Sequence, residues 1–237
     1  MKCKRALALF GLVCVAGPGV LSAQPRVSGE ILARELYHEE RGPNRRALWT
    51  ADAMIARHPI IFRALRAQAL RELPLTEDCS AQLPCNRYMK DELSYSGSRL
   101  VSIFSTTDQF LGGAHGAVGV SDAIYDLRTN RRIRFRDLFT NWARAKALLQ
   151  PKICESLRQM RENMEGIECP DADSLAFGLT EAGEIPIGRA ASGFEVRMSD
   201  YALGSYAAGR EDLWVTLDRP LYNLIKAEYR ADFRVGD

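Results

Sequence analysis

The sequence predicts an α+β protein in which an antiparallel sheet packs with two or three helices and disulfides clip the loops. Strand-like runs follow one another over residues 87–135 and again over 175–217, with helical segments between them. They do not alternate regularly with helices, which disfavours a parallel α/β sheet. The composition, 46% hydrophobic and 26% charged over 237 residues, is typical of a globular protein.

Residues 1–23 have the three parts of a secretory signal peptide. Lys2, Lys4 and Arg5 form a basic start, an apolar run over residues 6–17 follows, and small residues end the segment. This run is too short to span a bilayer, which needs about 20 residues. Loss of the three cations would lower the net charge from +2 to −1. We therefore expect a periplasmic or secreted protein, without a transmembrane segment after signal removal and without the positive field that nucleic acid requires.

Four cysteines follow the predicted signal, and an even number in an exported chain favours disulfides over a metal site. Of the three possible pairings we predict Cys79–Cys85 and Cys154–Cys169, because each pair is local and lies among turn-forming residues. No cysteine or histidine spacing typical of zinc is present. We predict neither a metal nor another cofactor.

Residues 24–49 are predicted to be a polar N-terminal arm or edge segment, and residues 50–237 a single domain. The domain begins with a helix over residues 50–73, in which apolar residues recur at about 3.6-residue spacing. Thr50 is the expected N-cap. Pro59 predicts a kink in this helix or its division into two.

Later segments are rich in β-branched and aromatic residues, which indicates strands. Thr129 and Asn130 lie between two of these runs as a hairpin turn. The predicted strands are residues 87–95, 99–107, 117–127, 131–135, 175–179, 184–188, 193–198 and 212–217. Helices are predicted over residues 141–163, where Pro151 marks a break or a second start, and over residues 220–228.

The segment 112–116 (GGAHG) contains three glycines in five residues, which predicts a turn with positive φ or a close backbone approach. Its central His115 is a candidate ligand-binding or catalytic imidazole, and Asp122 is a candidate carboxylate partner. Alternatively, His115 bonds to loop backbone and holds the turn, which the lack of a neighbouring histidine or cysteine favours. Asp122 and Asp126 share one strand face, and their simplest interpretation is a solvated face.

Arginines are concentrated in one part of the sequence, residues 128–136. In a strand, Arg132, Arg134 and Arg136 share one face. That stripe could meet carboxylates or phosphates of the cell envelope. The favoured alternative is an edge strand whose charges prevent edge-to-edge pairing.

Tyr201 and Tyr206 lie on a predicted loop near the C-terminus. Exposed tyrosines on loops are good binding anchors, because they offer a large amphipathic area at low entropic cost. The alternative, equally weighted, is that one ring packs into the core and the other caps the sheet.

Taken together, these segments resemble the RsiV-like family, domain of unknown function 3298, over roughly residues 50–220. The resemblance rests on residues 100–104 (LVSIF), 112–116 (GGAHG), 125–130 (YDLRTN), 136–139 (RDLF) and the ending 201–217. It implies an extracytoplasmic α+β domain, as found in lysozyme-sensing anti-sigma factors and beside PdaC-type cell-wall deacetylases. This chain departs from the family at Asp200, where a proline usually precedes the tyrosine in a loop that contributes to lysozyme recognition.

We therefore expect an envelope binding module for a cell-wall glycan or a wall-directed protein such as lysozyme, with no catalytic residue. The expected ligand-binding residues are Gly113, His115, Arg132, Arg134, Asp200, Tyr201 and Tyr206. The second hypothesis is an enzyme acting on wall carbohydrate, of hydrolase or deacetylase type, with His115 and a carboxylate such as Asp122 as acid and base. The chain has no GxSxG, P-loop or HExxH pattern, so this hypothesis is the less favoured one.

Overall fold

The computed structural model describes residues 36–42, 44–75, 79, 84–160, 168–180, 190–203 and 212–236. In these ranges the strands are β1 (Tyr37–Gly42), β2 (Arg45–Ala51), β3 (Cys85–Ser96), β4 (Leu100–Phe110), β5 (Ala117–Asp126), β6 (Arg131–Ile133), β7 (Ala176–Thr180), β8 (Gly193–Arg197) and β9 (Asp212–Thr216). The α-helices are α1 (Pro59–Glu72), α2 (Trp142–Met160) and α3 (Arg219–Leu224). Short 3₁₀ helices cover Ala53–Arg57, Phe135–Leu138, Ala172–Ser174 and Ala227–Asp232.

The strands form two sheets, and the predicted α+β class is confirmed. Strands β1 to β6 form one sheet in chain order, and β7 to β9 form a second. Every pairing is antiparallel except that of β2 with β3. Parallel neighbours need a crossover connection, and α1 lies in the chain between these two strands.

The first helical segment differs from its prediction in where it begins. Thr50, expected to cap a helix, lies in β2, and the described part of the predicted arm forms β1 and most of β2. The actual N-cap is Asp52, whose side chain accepts a hydrogen bond from the backbone N–H of Met54 at 2.8 Å. Pro59 is the first residue of α1, so the predicted division into two helices is confirmed. Its missing N–H costs nothing there, because no carbonyl precedes it in the helix.

Each face of the six-stranded sheet carries its own apolar core. On one face α1 packs against Trp49, Leu93 and Ile103. On the other, the three-stranded sheet and α2 pack against Tyr95 and Leu100. The sheet is therefore a central layer with both faces covered over part of its length.

Helix α2 continues through Pro151, contrary to the predicted break or second start. A proline in a helix interior removes one backbone hydrogen bond and costs about 3 kcal/mol. Against that cost, Ala145, Leu149, Ile153 and Leu157 form a fully buried stripe at four-residue spacing. Keeping this stripe on one face requires an unbroken helix. The end of the prediction, residues 161–163, lies outside the described residues.

Both predicted disulfides are confirmed. Cys79 and Cys85 have their Cα atoms 5.9 Å apart, and Cys154 and Cys169 have theirs 5.4 Å apart. The second bridge fastens α2 to the segment that leads into β7. Among the described helices, none is both long and apolar enough to cross a membrane.

The predicted strand over residues 131–135 ends early, at Ile133. Phe135 instead opens a 3₁₀ helix and turns into the core, where its ring stacks on Phe177 at a centroid distance of 4.2 Å. Burial of this aromatic pair explains why the alternation of the strand is not continued. The turn at Thr129 and Asn130 is confirmed, with Asn130 at a φ of 53°. The predicted strand 184–188 lies outside the described residues, as does the predicted signal peptide.

The C-terminal 3₁₀ helix returns to the hairpin between β3 and β4. Asp232 is 1% exposed, and its carboxylate accepts hydrogen bonds from the backbone N–H groups of Ser98, Arg99 and Leu100 and from the Ser98 hydroxyl. The backbone carbonyl of Asp232 accepts a further bond from the Tyr95 hydroxyl at 2.8 Å. We refer to this arrangement as the Asp232 clamp.

Candidate functional site

In the first half of β5, no strand of the described residues covers the outer edge, because β6 pairs only with Ile124, Tyr125 and Asp126. The segment Ser199–Asp200 covers it instead. The Asp200 N–H donates to the Val118 carbonyl at 2.8 Å, and the Asp200 carboxylate accepts from the Val118 N–H at 2.6 Å. Asp200, predicted to bind a ligand, therefore satisfies backbone groups of the sheet edge.

His115 and Tyr201, which are 86 residues apart in sequence, meet beside this edge. The imidazole Nδ1 lies 2.8 Å from the Gly116 carbonyl, which can only accept, so this nitrogen carries a proton. The Nε2 atom lies 3.3 Å from the Tyr201 hydroxyl. Both side chains are exposed, and Tyr201 has a φ of 68°. The bond to the Gly116 carbonyl matches the alternative interpretation, in which His115 holds the turn.

The glycine turn has the expected backbone. Gly112 has a φ of 88°, a conformation that favours glycine. Gly113 is exposed in the same turn. Tyr206, the remaining predicted residue of this region, lies outside the described residues.

The second cluster of predicted residues lies at a groove of about 580 Å³, between the β5–β6 hairpin, β7 and the start of α2. We call it the arginine groove. Its lining residues are Asp122, Arg132, Ile133, Arg134, Phe135, Arg136, Trp142, Ala172, Asp173, Leu175 and Phe177. The groove thus contains Arg132 and Arg134 of the predicted set, but none of the residues of the His115–Tyr201 contact.

The three arginines of the groove have different partners. Arg132 donates through Nη2 to the backbone carbonyl of Asp122. Arg134 donates through Nε and Nη2 to the two carboxylate oxygens of Asp137, at 2.9 and 2.8 Å. This pairing lowers the pKa of Asp137. The Arg136 side chain is exposed and makes no hydrogen bond or ion pair within the described residues.

Asp122 lies half-buried in the groove, where burial raises the pKa of its carboxyl group, opposed by the charge of Arg132 and by a backbone hydrogen bond from Phe177. Asp126, on the same strand face, is 3% exposed and pairs with Arg99 at 3.2 Å. The interpretation of the two carboxylates as a solvated face is therefore wrong. Both lie on the sheet face that the C-terminal elements cover. The alternation of residues along β5 does not reveal that this face is covered.

His115 and Asp122 do not form the acid–base pair of the second hypothesis. Asp122 is five residues beyond Ala117, the first residue of β5. At about 3.3 Å per residue the strand alone separates the two ends by roughly 17 Å. His115 lies before that strand begins, at the far end from the groove.

Trp142 forms an aromatic wall of the groove and is held from two sides. Its Nε1 donates to Asp173 Oδ1 at 2.9 Å, and its ring meets Phe135 edge-on at a centroid distance of 5.9 Å. Lys146 binds the other oxygen of Asp173. The sequence alone did not identify Trp142 and Asp173 as residues of the site. The available signal was an aromatic residue at the start of an amphipathic helix, where a ring need not be buried.

Within the described residues, no group of three or more histidine, cysteine or acidic side chains is arranged to hold a metal ion. The groove itself is lined by guanidinium groups, carboxylates and an indole ring. Such groups recognise polar ligands through hydrogen bonds and ring contacts.

No family model matches the chain, and no curated protein is similar to it. Solved structures that are similar to the chain include the following two. One is a DUF3298 family protein from Pseudomonas aeruginosa PAO1, 17% identical, with a TM-score of 0.46 over 81% of this chain and 93% of that chain. The other is a DUF3298 member from Bacteroides fragilis NCTC 9343, 15% identical, with a TM-score of 0.47 over 75% and 70%. Both carry the name of the family that the sequence motifs resemble. At these identities the likeness concerns the fold alone.

Proposed function

We propose that this protein is an exported binding module of the cell envelope, that its ligand is a cell-wall glycan, and that the arginine groove binds it without chemistry of its own. The observation that carries the proposal is the groove itself, where guanidinium groups and a fixed indole ring line one open depression. The two disulfides support an oxidising compartment, in agreement with the predicted export signal.

The size and lining of the groove suit a sugar. Small-ligand sites have volumes of about 300–1,000 Å³, and this groove has about 580 Å³. A pyranose presents hydroxyl groups at its rim and C–H groups on its faces, which fits a site that offers both charged donors and an aromatic ring. Trp142 is held before any ligand arrives, which lowers the entropic cost of binding.

An enzyme is the weaker alternative, because the structure separates its two proposed groups. Asp122, with its raised pKa, is the one feature that favours it, since perturbed carboxyl groups cluster at functional sites. However, a backbone N–H of β7 contributes to holding this carboxylate, so its position also serves the junction between the two sheets.

The experiment is co-sedimentation of the protein with purified insoluble peptidoglycan, together with calorimetric titration against lysozyme. We expect saturable binding to peptidoglycan. The double variant Arg132→Gln/Arg136→Gln should lose at least about tenfold in affinity, because charge-assisted hydrogen bonds to a ligand are lost. Ile60→Ala, an exposed change on α1 at the opposite face of the sheet, is the matched control.

No sedimentation at high micromolar concentration would overturn the proposal. Binding to lysozyme without binding to peptidoglycan would also overturn it, and would make the partner a protein. Release of reducing sugar or acetate by the protein, abolished in Asp122→Asn, would establish the enzymatic alternative instead.

A further inference from the structure

Arg136 differs from the other two arginines of the arginine groove in having no partner within the described residues. The guanidinium of Arg132 is bound to a backbone carbonyl, and that of Arg134 is bound at two of its nitrogens by Asp137. A planar guanidinium carries five N–H donors in a fork that matches a carboxylate. Arg136 therefore offers a bidentate site for a planar anion in which no donor is engaged by the described residues.

The carboxylates of the lining are already engaged and do not occupy Arg136. Asp173 accepts from the Trp142 indole and binds Lys146. Asp122 lies beside Arg132 and takes a backbone hydrogen bond from Phe177. Within the described residues, Arg132 and Arg136 are the arginines of the groove that form no ion pair, and of these two only Arg136 also lacks a side-chain hydrogen bond.

Trp142 determines what else a ligand can contact. Its single N–H donor is used by Asp173, so the indole offers a ligand only its ring. The residue is half-buried, with Phe135 and Phe139 packed against it at centroid distances of 5.9 and 5.8 Å. A ring held in this way presents an apolar surface of fixed orientation in the groove that Arg136 also lines.

We infer that the arginine groove selects sugars that carry a carboxylate, with Arg136 binding the carboxylate and Trp142 contacting the pyranose ring. This inference rests on the proposed function and specifies its substrate class. Two sources supply such sugars in a bacterial envelope: the lactyl-substituted amino sugar of peptidoglycan where it carries no stem peptide, and uronic acids of acidic polysaccharides. Both present a planar carboxylate on a pyranose.

The test compares sugars that differ in their acidic group, by calorimetric titration of the protein. The pairs are N-acetylmuramic acid against N-acetylglucosamine, and galacturonic acid against galactose. We expect the acid of at least one pair to bind about tenfold or more tightly than its neutral partner, and this preference to weaken as salt is raised. The pair with the larger difference identifies the source.

Arg136→Gln should remove the preference, by lowering the affinity for the acidic sugar to about that for the neutral one. Because Arg136 is exposed and makes no contact that holds the fold, thermal unfolding of the variant should match that of the parent. Arg71→Gln is the matched control, since it removes the same charge from an exposed position on α1 at the opposite face of the sheet.

The outcomes separate the two proposals. Equal binding of acid and neutral sugar, unaffected by Arg136→Gln, overturns this inference and leaves the glycan-binding function standing. Binding of inorganic phosphate as tight as that of the acidic sugar also overturns it, because the site would then be a general anion site. A protein that binds none of these sugars and no peptidoglycan overturns the proposed function itself.

Discussion

The Asp232 clamp and the arginine groove are both polar clusters, and they differ in how completely their groups are bonded. In the clamp, one buried carboxylate receives three backbone N–H groups and a hydroxyl. In the groove, the exposed Arg136 receives no partner from the described residues. A buried polar group that lacks partners costs about 1–3 kcal/mol, whereas an exposed one is served by water.

This difference separates two uses of polar residues. Polar groups whose hydrogen bonds are complete within the chain hold the fold, so their removal should lower the free energy of unfolding. Groups left incomplete at the surface are available to a ligand, and their loss should appear in binding. The following variants test this division, beginning with the largest expected effect.

Asp232→Ala should lower the free energy of unfolding by about 3 kcal/mol or more, because three backbone N–H groups at the hairpin lose their acceptor. Urea denaturation followed by circular dichroism measures the loss. Asp232→Asn keeps one acceptor oxygen, so its free energy of unfolding should lie between those of Asp232→Ala and the parent. A loss below about 1 kcal/mol would show that the clamp does not hold the hairpin.

Gly178→Ala tests the junction of the two sheets, next to Phe177 at the groove. A methyl group at Gly178 would overlap the Phe104 ring and lie 2.9 Å from the Ser94 hydroxyl. We expect a loss of roughly 1–3 kcal/mol from overpacking, measured by the same denaturation. Gly119→Ala in β5 is the matched control, because a methyl group there meets nothing within 4 Å. Equal stabilities of the two variants would contradict the close approach of β7.

Asp91 is an intermediate case, a buried carboxyl group with two hydrogen-bond donors, the Trp49 indole and the Ser105 hydroxyl. Burial raises its pKa in the folded protein above the unfolded value, near 3.9. The ionised Asp91 therefore destabilises the folded protein at pH values above the folded pKa. This destabilisation decreases as the pH falls through the folded pKa and is absent below the unfolded pKa.

Asp91→Asn should thus be more stable than the parent at pH 7, and this advantage should shrink as the pH is lowered towards 3. Thermal melts at a series of pH values measure it. Asp108→Asn, at an exposed position on β4, should show no such advantage. An Asp91→Asn protein that is less stable than the parent at pH 7 would show that the two donors require the ionised form.

His115→Ala should have the smallest effect. The side chain is exposed and holds a surface turn, so the change in the free energy of unfolding should stay within about 0.5 kcal/mol. Affinity for peptidoglycan should equal that of the parent, because His115 lies at the other end of β5 from the groove. A loss of affinity without a loss of stability would show that the ligand extends along the β5 edge to Tyr201.

Local patterns in the sequence were sufficient for the α+β class, both disulfides, the hairpin turn at Asn130 and the division of the first helical segment at Pro59. These features depend on near neighbours: cysteines 6 and 15 residues apart, a proline that fits the first turn of a helix, and alternation along a strand. The strand predicted through Phe135 was wrong for the same reason. Stacking on Phe177, more than 40 residues away, outweighed the local alternation.

What only the tertiary structure decided is the grouping of the polar residues. The predicted site residues that the structure describes are divided between the two ends of β5, because the segment after β8 covers one end and β7 lies against the other. Trp142 and Asp173 join the groove from α2 and from the 3₁₀ helix Ala172–Ser174, and Asp232 reaches a hairpin over 130 residues before it. Local spacing in the sequence does not encode these contacts. They form because apolar faces that are distant in sequence are buried against each other, and this packing places the polar groups side by side.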